Sequence, residues 1–106
     1  MTVNKLSGLL GMCRRAGRLT VGFDAVAALC RQPQVLLMIA SDASERTVRQ
    51  ITFQAGDTPI YRLPLTRDET AHAVGSHKPV AVLATTDRGF IRAISPLLNI
   101  AQEEES

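Results

Sequence analysis

Three arginines, Arg14, Arg15 and Arg18, cluster shortly before Gly22 in the first part of the chain. Arginine guanidinium groups donate paired hydrogen bonds in a planar arrangement that matches phosphate oxygens. A helix that begins at Gly22 would also present free backbone N–H groups, and these favour an anion. The spacing therefore indicates a phosphate-binding turn. A solvated basic turn with an ordinary glycine is the alternative interpretation of the same residues.

Two predicted helices position this turn. Apolar residues recur at i, i+3, i+4 and i+7 on each side of it, which is typical of amphipathic helices. We expect Asn4 to be the N-cap of the first helix, Gly17 to end it, and residues 19–21 to be extended. The apolar stripes are Leu6, Leu9, Leu10 and Cys13 in the first helix, and Phe23, Val26, Ala27 and Cys30 in the second.

The rest of the chain alternates strand and helix patterns. The apolar runs 35–40 and 80–84 predict strands buried on both faces, and 59–61 predicts a shorter strand. Helix starts are expected at three caps, Ser44, Thr66 (with Glu69 in a capping box) and Thr86-Asp87. Pro96 predicts a kink or restart near Ser95 in the last helix. Strands separated by helices predict an α/β sandwich with helices on both faces.

Length and charge are consistent with one domain. We assign residues 1–100 of the 106 to it and expect the acidic tail 101–106 to be disordered. The formal net charge of +2 is modest. Residues 1–62 hold eight Lys and Arg against four Asp and Glu, whereas residues 63–106 hold four against six. This asymmetry suits a basic face on nucleic acid, although numbers this small also arise by chance.

The two cysteines, Cys13 and Cys30, each lie on an apolar stripe without a CxxC or Cys/His cluster nearby. We expect buried, reduced thiols and no disulfide, metal or cofactor. No apolar run of the sequence approaches the ~20 residues of a membrane span, and no signal-peptide pattern is present. The sequence therefore predicts a cytoplasmic protein with no membrane partner.

Three segments resemble one known family. They are LLGMCRRAGRLTVGFDAV at 9–26, VLLMIASDAS at 35–44 and AVGSHKPVAVLATTDRGF at 73–90. Together they are similar to the kink-turn RNA-binding ribosomal-protein family, the L-seven-Ae and L-thirty-e superfamily, and most of all to its bacterial YlxQ-type branch. The similarity extends over about residues 4 to 99.

The resemblance implies a three-layer α/β/α sandwich of the ribosomal L-thirty-e type, with a four-stranded mixed sheet. It implies a monomeric RNA-binding protein. The expected partners are ribosomal or other structured RNA and the ribosome. The expected RNA contacts form three groups along one edge of the sheet. They are Arg14, Arg15, Arg18, Thr20, Gly22, Phe23 and Asp24; Ser41 and Asp42; and Gly75, Ser76, His77, Lys78 and Pro79.

One motif departs from the family pattern. The RNA-reading helix start of strong kink-turn binders resembles Gly-x-Asn-Glu-x-x-Lys, whereas residues 22–28 read GFDAVAA. Asp24 replaces the amide, and Ala25 and Ala28 replace Glu and Lys. An aspartate accepts hydrogen bonds but lacks amide donors and adds negative charge near phosphates. The likeness therefore supports the fold more strongly than it supports kink-turn specificity.

Two other functions compete with RNA binding. The first is a protein-interaction module of the same fold, which Ala25 and Ala28 favour. The second is a phosphoryl-accepting enzyme that would use Asp42 with Thr85 and Lys78. No acidic pair follows a first strand, and no GK[ST] phosphate loop is present. We therefore expect no catalytic residues.

Overall fold

Helices and strands alternate along residues 2–105, the part of the chain that this computed structural model describes; side chains are described for residues 2–100. The elements are α1 (Thr2–Arg15), β1 (Thr20–Val21), α2 (Phe23–Ala27), β2 (Leu36–Ile39), α3 (Glu45–Ala55), β3 (Ile60–Arg62), α4 (Arg67–Val74), β4 (Val82–Thr85) and α5 (Arg88–Glu105). Each predicted strand is present, with bounds that differ from the sequence prediction by a few residues.

The four strands form one mixed sheet in the order β1-β4-β2-β3. Strand β4 runs antiparallel to both β1 and β2, while β2 and β3 are parallel. Strands β1, β2 and β3 therefore finish at the end of the sheet where β4 begins. We call this end, with Gly22, Ser41, Arg62 and Val82, the Gly22 edge. The opposite end, with Arg18, Gln34, Thr85 and Asp87, is the Thr85 end.

Helices cover both faces of the sheet, which confirms the predicted three-layer sandwich. On one face, α1 packs against α4 and α5. Their core includes Leu6, Leu10, Met38, Leu83, Ile94 and Leu98, which are fully buried. On the other face, α2 and α3 enclose a smaller core that includes Val26, Cys30, Leu37, Ile51 and Ala84. Alternate residues of β2 and β4 supply the two cores, since successive strand side chains point to opposite faces.

Local side-chain caps start three helices as predicted. The Ser44 hydroxyl accepts a hydrogen bond from the Thr47 N–H at 3.2 Å at the start of α3. Thr66 and Glu69 form the capping box of α4, with bonds of 2.9 and 3.1 Å. At the start of α5, an Asp87 carboxylate oxygen accepts from the Phe90 N–H at 3.0 Å. Each cap satisfies N–H groups that a helix leaves unpaired.

Two predictions of helix bounds are wrong, and the kink predicted near Ser95 stays a prediction. Helix α1 begins at Thr2, so Asn4 lies inside it and is not the N-cap. Helix α2 ends at Ala27, so the expected stripe is cut short, although Cys30 is still buried. Helix α5 continues through Pro96 without a restart. Proline leaves the carbonyl of Arg92 without its helical partner, and since both residues are exposed, water can solvate that carbonyl.

The acidic tail was expected to be disordered. The described backbone of α5 extends to Glu105. The side chains of 101–105 and all of Ser106 lie outside the described residues. The disorder of this tail in solution, and with it the 1–100 domain boundary, stays a prediction.

Gly11 allows α1 and α4 to approach closely. A Cβ atom at Gly11 would lie 2.9 Å from the carbonyl oxygen of Ala73, a backbone atom of α4. We expect Gly11→Ala to lower the free energy of unfolding by about 1–3 kcal/mol, because the two helices must separate. Denaturant unfolding followed by circular dichroism measures the change.

Gly8 is a matched control on the same helix. A Cβ atom there meets nothing within 4 Å. Gly8→Ala should raise the free energy of unfolding by about 0.5–1 kcal/mol, because alanine favours helix. Equal stability of the two variants would contradict the close packing at Gly11.

Candidate nucleic-acid interface

Gly22 connects β1 to α2 in a backbone conformation that favours glycine, with φ of 103° and ψ of 151°. Its N–H donates to the Val82 carbonyl at 3.0 Å, which extends the pairing of β1 with β4. The prediction that Gly22 offers its own N–H to RNA is therefore wrong, because the sheet uses that donor. The N–H groups of the next three residues come before the first helical hydrogen bond, from Val26 to Gly22.

Phe23 and Asp24 form the first turn of α2 and differ in exposure. Phe23 is half-buried against the smaller core. Asp24 is exposed and follows the cap position, which Gly22 occupies. Asp24 therefore does not cap the helix, and its carboxylate faces solvent at the Gly22 edge.

The turn after β2 is fixed by hydrogen bonds at the Gly22 edge. The Ser41 N–H donates to the Leu65 carbonyl at 2.8 Å, and its carbonyl accepts from Arg62 Nη1 at 2.7 Å. Asp42 Oδ1 accepts from the Arg67 N–H at 2.8 Å, and the Arg67 Nε lies 3.4 Å away. Asp42 thus holds the start of α4, a structural role for a residue that was expected to contact RNA.

The loop Gly75–Pro79 returns the chain to the same edge. Gly75 ends α4 with a left-handed φ of 70°, and the Ser76 hydroxyl accepts from the Lys78 N–H at 3.3 Å. His77, Lys78 and Pro79 are exposed. The next residue, Val80, donates its N–H to the Arg67 carbonyl at 3.1 Å. The loop therefore ends beside the Asp42 turn, as the resemblance implied.

The three arginines do not lie together beside Gly22, so that part of the prediction is wrong. Strand β1 pairs antiparallel with β4. Arg18 comes before β1 and therefore lies at the Thr85 end, whereas Gly22 comes after β1 and lies at the Gly22 edge. The length of β4 puts about 10 Å between the two ends. Arg14 is exposed in the last turn of α1. The Arg15 side chain extends back along α1 to Gly11. A Cβ atom at Gly11 would lie 3.2 Å from Arg15 Nη1 and 2.9 Å from the Ala73 carbonyl oxygen, so the Arg15 guanidinium lies near the last turn of α4.

Arg18 contacts other residues at the Thr85 end, although its side chain is exposed. Its Nε lies 3.7 Å from Asp87 Oδ2, and its carbonyl accepts from the Thr85 hydroxyl at 2.7 Å. Thr20 is half-buried and lines a 450 Å³ cavity at this end rather than at the Gly22 edge. Burial raises the pKa of the nearby Cys13 thiol; a hydrogen bond with Thr85 opposes this rise, and the Asp87 carboxylate adds to it. Cys13 is a buried, free thiol, as predicted.

Two basic residues of the Gly22 edge were missed from the sequence. Arg62 is the last residue of β3, and Arg67 is the first of α4. Both are exposed, and both touch the Ser41-Asp42 turn. A signal was present, because parallel strands finish at the same edge and Arg62 directly follows a predicted strand. With Lys78, these residues supply the positive charge that Arg18 was expected to supply.

The residues of the proposed phosphoryl-accepting site are not assembled. Asp42 follows β2 at the Gly22 edge, whereas Thr85 ends β4 at the opposite end. Within residues 2–100, whose side chains are described, no group of three or more His, Cys, Asp and Glu side chains is placed to hold a metal ion. No helix in the described part of the chain is long and apolar enough to cross a membrane.

Comparison with known proteins places this geometry in a family. Residues 4–95 match the model of the ribosomal protein L7Ae/L30e/S12e/Gadd45 family. The chain belongs to this family. The RNA-binding protein YlxQ of Enterococcus faecium is 28% identical over 97 residues, which are 89% of this chain and 91% of that protein. The predicted likeness to the YlxQ-type branch is confirmed.

Solved structures share the fold. A protein of unknown function from Bacillus halodurans C superposes with a TM-score of 0.77 at 30% identity, over 90% of this chain and 97% of that one. The 15.5 kD RNA-binding protein of Giardia lamblia gives a TM-score of 0.74 at 12% identity, over 96% and 88% of the two chains. The second likeness concerns the fold alone.

Thr70 and Thr85 are both fully buried, and a variant of each shows how much the Thr85 hydrogen bonds contribute to the free energy of unfolding. The Thr85 hydroxyl donates to the Arg18 carbonyl and accepts from the Asp87 N–H at 3.1 Å. The Thr70 hydroxyl has no hydrogen-bond partner among the residues that the structure describes. Thr85→Val should lower the free energy of unfolding by about 1–3 kcal/mol, because it leaves buried backbone groups unpaired.

Thr70→Val is the matched control, because it removes a buried hydroxyl that makes no such bond. It should leave the free energy of unfolding unchanged or raise it by about 1 kcal/mol. Urea titrations of both variants give the comparison. A Thr85→Val protein as stable as Thr70→Val would show that the Thr85 bonds do not hold β1 to β4.

Proposed function

We propose that this protein is a non-catalytic, cytoplasmic RNA-binding protein that recognises a kink-turn or bulged RNA as a monomer in association with the ribosome. The observation that carries the proposal is that parts of the three predicted contact groups meet at the Gly22 edge. The start of α2, the Ser41-Asp42 turn and the Ser76–Pro79 loop all lie at this one end of the sheet. The similarity to the RNA-binding protein YlxQ of Enterococcus faecium supports the same function.

The charges of the Gly22 edge suit an RNA backbone. Lys78, Arg62 and Arg67 are exposed there, and a cation beside a folded RNA lowers the phosphate repulsion. Protein loops read unpaired or bulged nucleotides more readily than the deep major groove of an RNA duplex. A surface made of two turns and a helix start therefore fits an RNA bend better than a continuous duplex.

The first turn of α2 sets the expected specificity. Ala25 and Ala28 are exposed at the two positions where the motif of strong kink-turn binders has Glu and Lys. Two side-chain contacts of that motif are therefore missing. Asp24 can accept hydrogen bonds from base amino groups but repels phosphate. We therefore expect weaker discrimination of a kink-turn than a family member with the full motif achieves. A protein-interaction module is the second candidate, and the two exposed alanines favour it.

Filter binding to three RNAs tests the proposal. The probes are a kink-turn RNA, a duplex with a three-nucleotide bulge, and a plain duplex of equal length. We expect the first two to bind at least about tenfold more tightly than the plain duplex, which corresponds to about 1.4 kcal/mol. Equal affinity for all three would contradict recognition of structured RNA. A protein partner captured from nuclease-treated lysate, together with that result, would favour the interaction module.

Salt dependence identifies the contact surface. Lys78→Ala should weaken binding to the bulged RNA and reduce the slope of log affinity against log salt by about 1, because one phosphate contact is lost. Arg92→Ala is the matched control, since Arg92 is also exposed but lies on α5, which starts at the Thr85 end. A loss of affinity that is the same in both variants would show that the Gly22 edge is not the contact surface.

A further inference from the structure

Phe53 is the most exposed large apolar side chain in the part of the chain described, with 78% of its surface accessible. It lies on α3, whose Ile51 and Ala55 are buried in the smaller core. The helix therefore does not need Phe53 for its packing. A partner that covers this ring would remove its apolar surface from water, which favours binding.

The ring forms one wall of a groove between α2 and α3. The groove has a volume of 520 Å³. Its lining combines two aromatic rings with four polar side chains: Phe23, Asp24, Arg49, Gln50, Phe53 and Gln54. Arg49 and Gln50 precede Phe53 by four and three residues on α3, so they flank its ring on the helix surface. The groove thus places a cation and amide groups next to a flat apolar surface.

This groove is continuous with the Gly22 edge on two sides. Phe23 and Asp24 belong both to the groove and to the first turn of α2. Arg49 also lines a second cavity, of 260 Å³, together with Ala43 and Arg62. Arg62 in turn donates to the Ser41 carbonyl at the edge. A polymer that lies along the Gly22 edge can therefore continue into the groove past Arg49.

We propose that the groove holds an unpaired nucleotide of the bound RNA, with its base stacked on Phe53 and its phosphate on Arg49. This inference rests on the proposed function and extends it from the edge to α3. Aromatic stacking accepts any base, because every base has a π-face. Asp24, Gln50 and Gln54 offer acceptors and donors for the base edge, and Asp24 favours a base with an amino group.

Charge favours RNA over a protein partner in this groove. Arg46, Arg49 and Arg31 lie on or beside α3, and the Arg31 Nε donates to the Gln54 carbonyl at 2.9 Å. The residues around a protein-binding hot spot exclude water from it. Here four of the six lining side chains are polar. The mixture of ring, amide and guanidinium matches a nucleotide better than an apolar peptide.

A single tryptophan reports on the groove without an identified RNA. The natural chain has no Trp, so Phe53→Trp creates one emitter. The probe is the octanucleotide of adenosine, rA8. We expect rA8 to quench the fluorescence of Phe53→Trp through stacking, and an added Arg49→Ala to weaken this binding about fivefold or more. Met12→Trp, at a 52% exposed site on α1, is the matched control and should not be quenched. Equal quenching at both sites would overturn the proposal.

Binding of a tailed RNA connects the groove to the Gly22 edge. The probes are two RNA hairpins that carry the same three-nucleotide bulge. One has a six-adenosine 3′ tail, and the other has no tail. The tail should tighten binding about tenfold, and Phe53→Ala should remove this gain while binding of the tailless hairpin stays within about twofold. Phe53→Tyr should keep the gain, whereas Phe53→Leu should lose it because it lacks a ring. A gain that survives in Phe53→Ala would overturn the proposal.

The outcomes separate this inference from the proposed function. Failure of the tailless hairpin to bind would count against the Gly22 edge, whereas quenching by rA8 in Phe53→Trp would still support the groove. If sedimentation shows a dimer that Phe53→Ala converts to a monomer without any change in RNA binding, the ring serves self-association and the inference is wrong. Circular dichroism of each variant confirms that an exposed residue was changed without loss of fold.

Discussion

The antiparallel pairing of β4 with both β1 and β2 determines where the functional loops lie. One hydrogen bond holds the β1–β4 pair at each end. The Gly22 N–H donates to the Val82 carbonyl at one end, and the Thr85 hydroxyl donates to the Arg18 carbonyl at the other. Since β1 is antiparallel to β4 and parallel in direction to β2 and β3, the chain leaves three strands at one edge. The start of α2, the Asp42 turn and the basic Arg62 meet there because of strand direction and not because of closeness in sequence.

The same pairing divides the basic residues into two groups with different roles. At the Thr85 end, Arg18 lies opposite the Asp87 carboxylate, and its backbone closes the sheet through Thr85. At the Gly22 edge, Arg62 and Lys78 are exposed and face solvent beside polar turns. Arg18 thus lies beside a carboxylate, whereas Arg62 donates to the neutral Ser41 carbonyl, which leaves its positive charge uncompensated by that contact. A count of arginines along the sequence cannot distinguish these roles.

Local signals were sufficient for much of the fold. The Thr66–Glu69 capping box, the Ser44 cap and the apolar runs of β2 and β4 depend on neighbours a few residues away, so the sequence contains them fully. The family resemblance implied a four-stranded mixed sheet, but the order of its strands was not predicted. The position of Arg18 depends on the register Thr20 to Ala84, a contact between residues far apart that no local pattern encodes. Phe53 was not singled out from the sequence, although it lies off the helix face that buries Ile51 and Ala55.

Strand β1 contributes only two residues to the sheet, and it lies at the sheet margin with a single neighbour. Few hydrogen bonds must break for this strand to detach, so its amide protons exchange with solvent through local opening that costs less than unfolding the whole domain. Helix α2 follows directly and shares this opening, while the central strands stay protected. A ligand that binds both α2 and the loop before β4 would restrict the local opening of β1. Part of its binding free energy would then offset the conformational entropy that β1 loses.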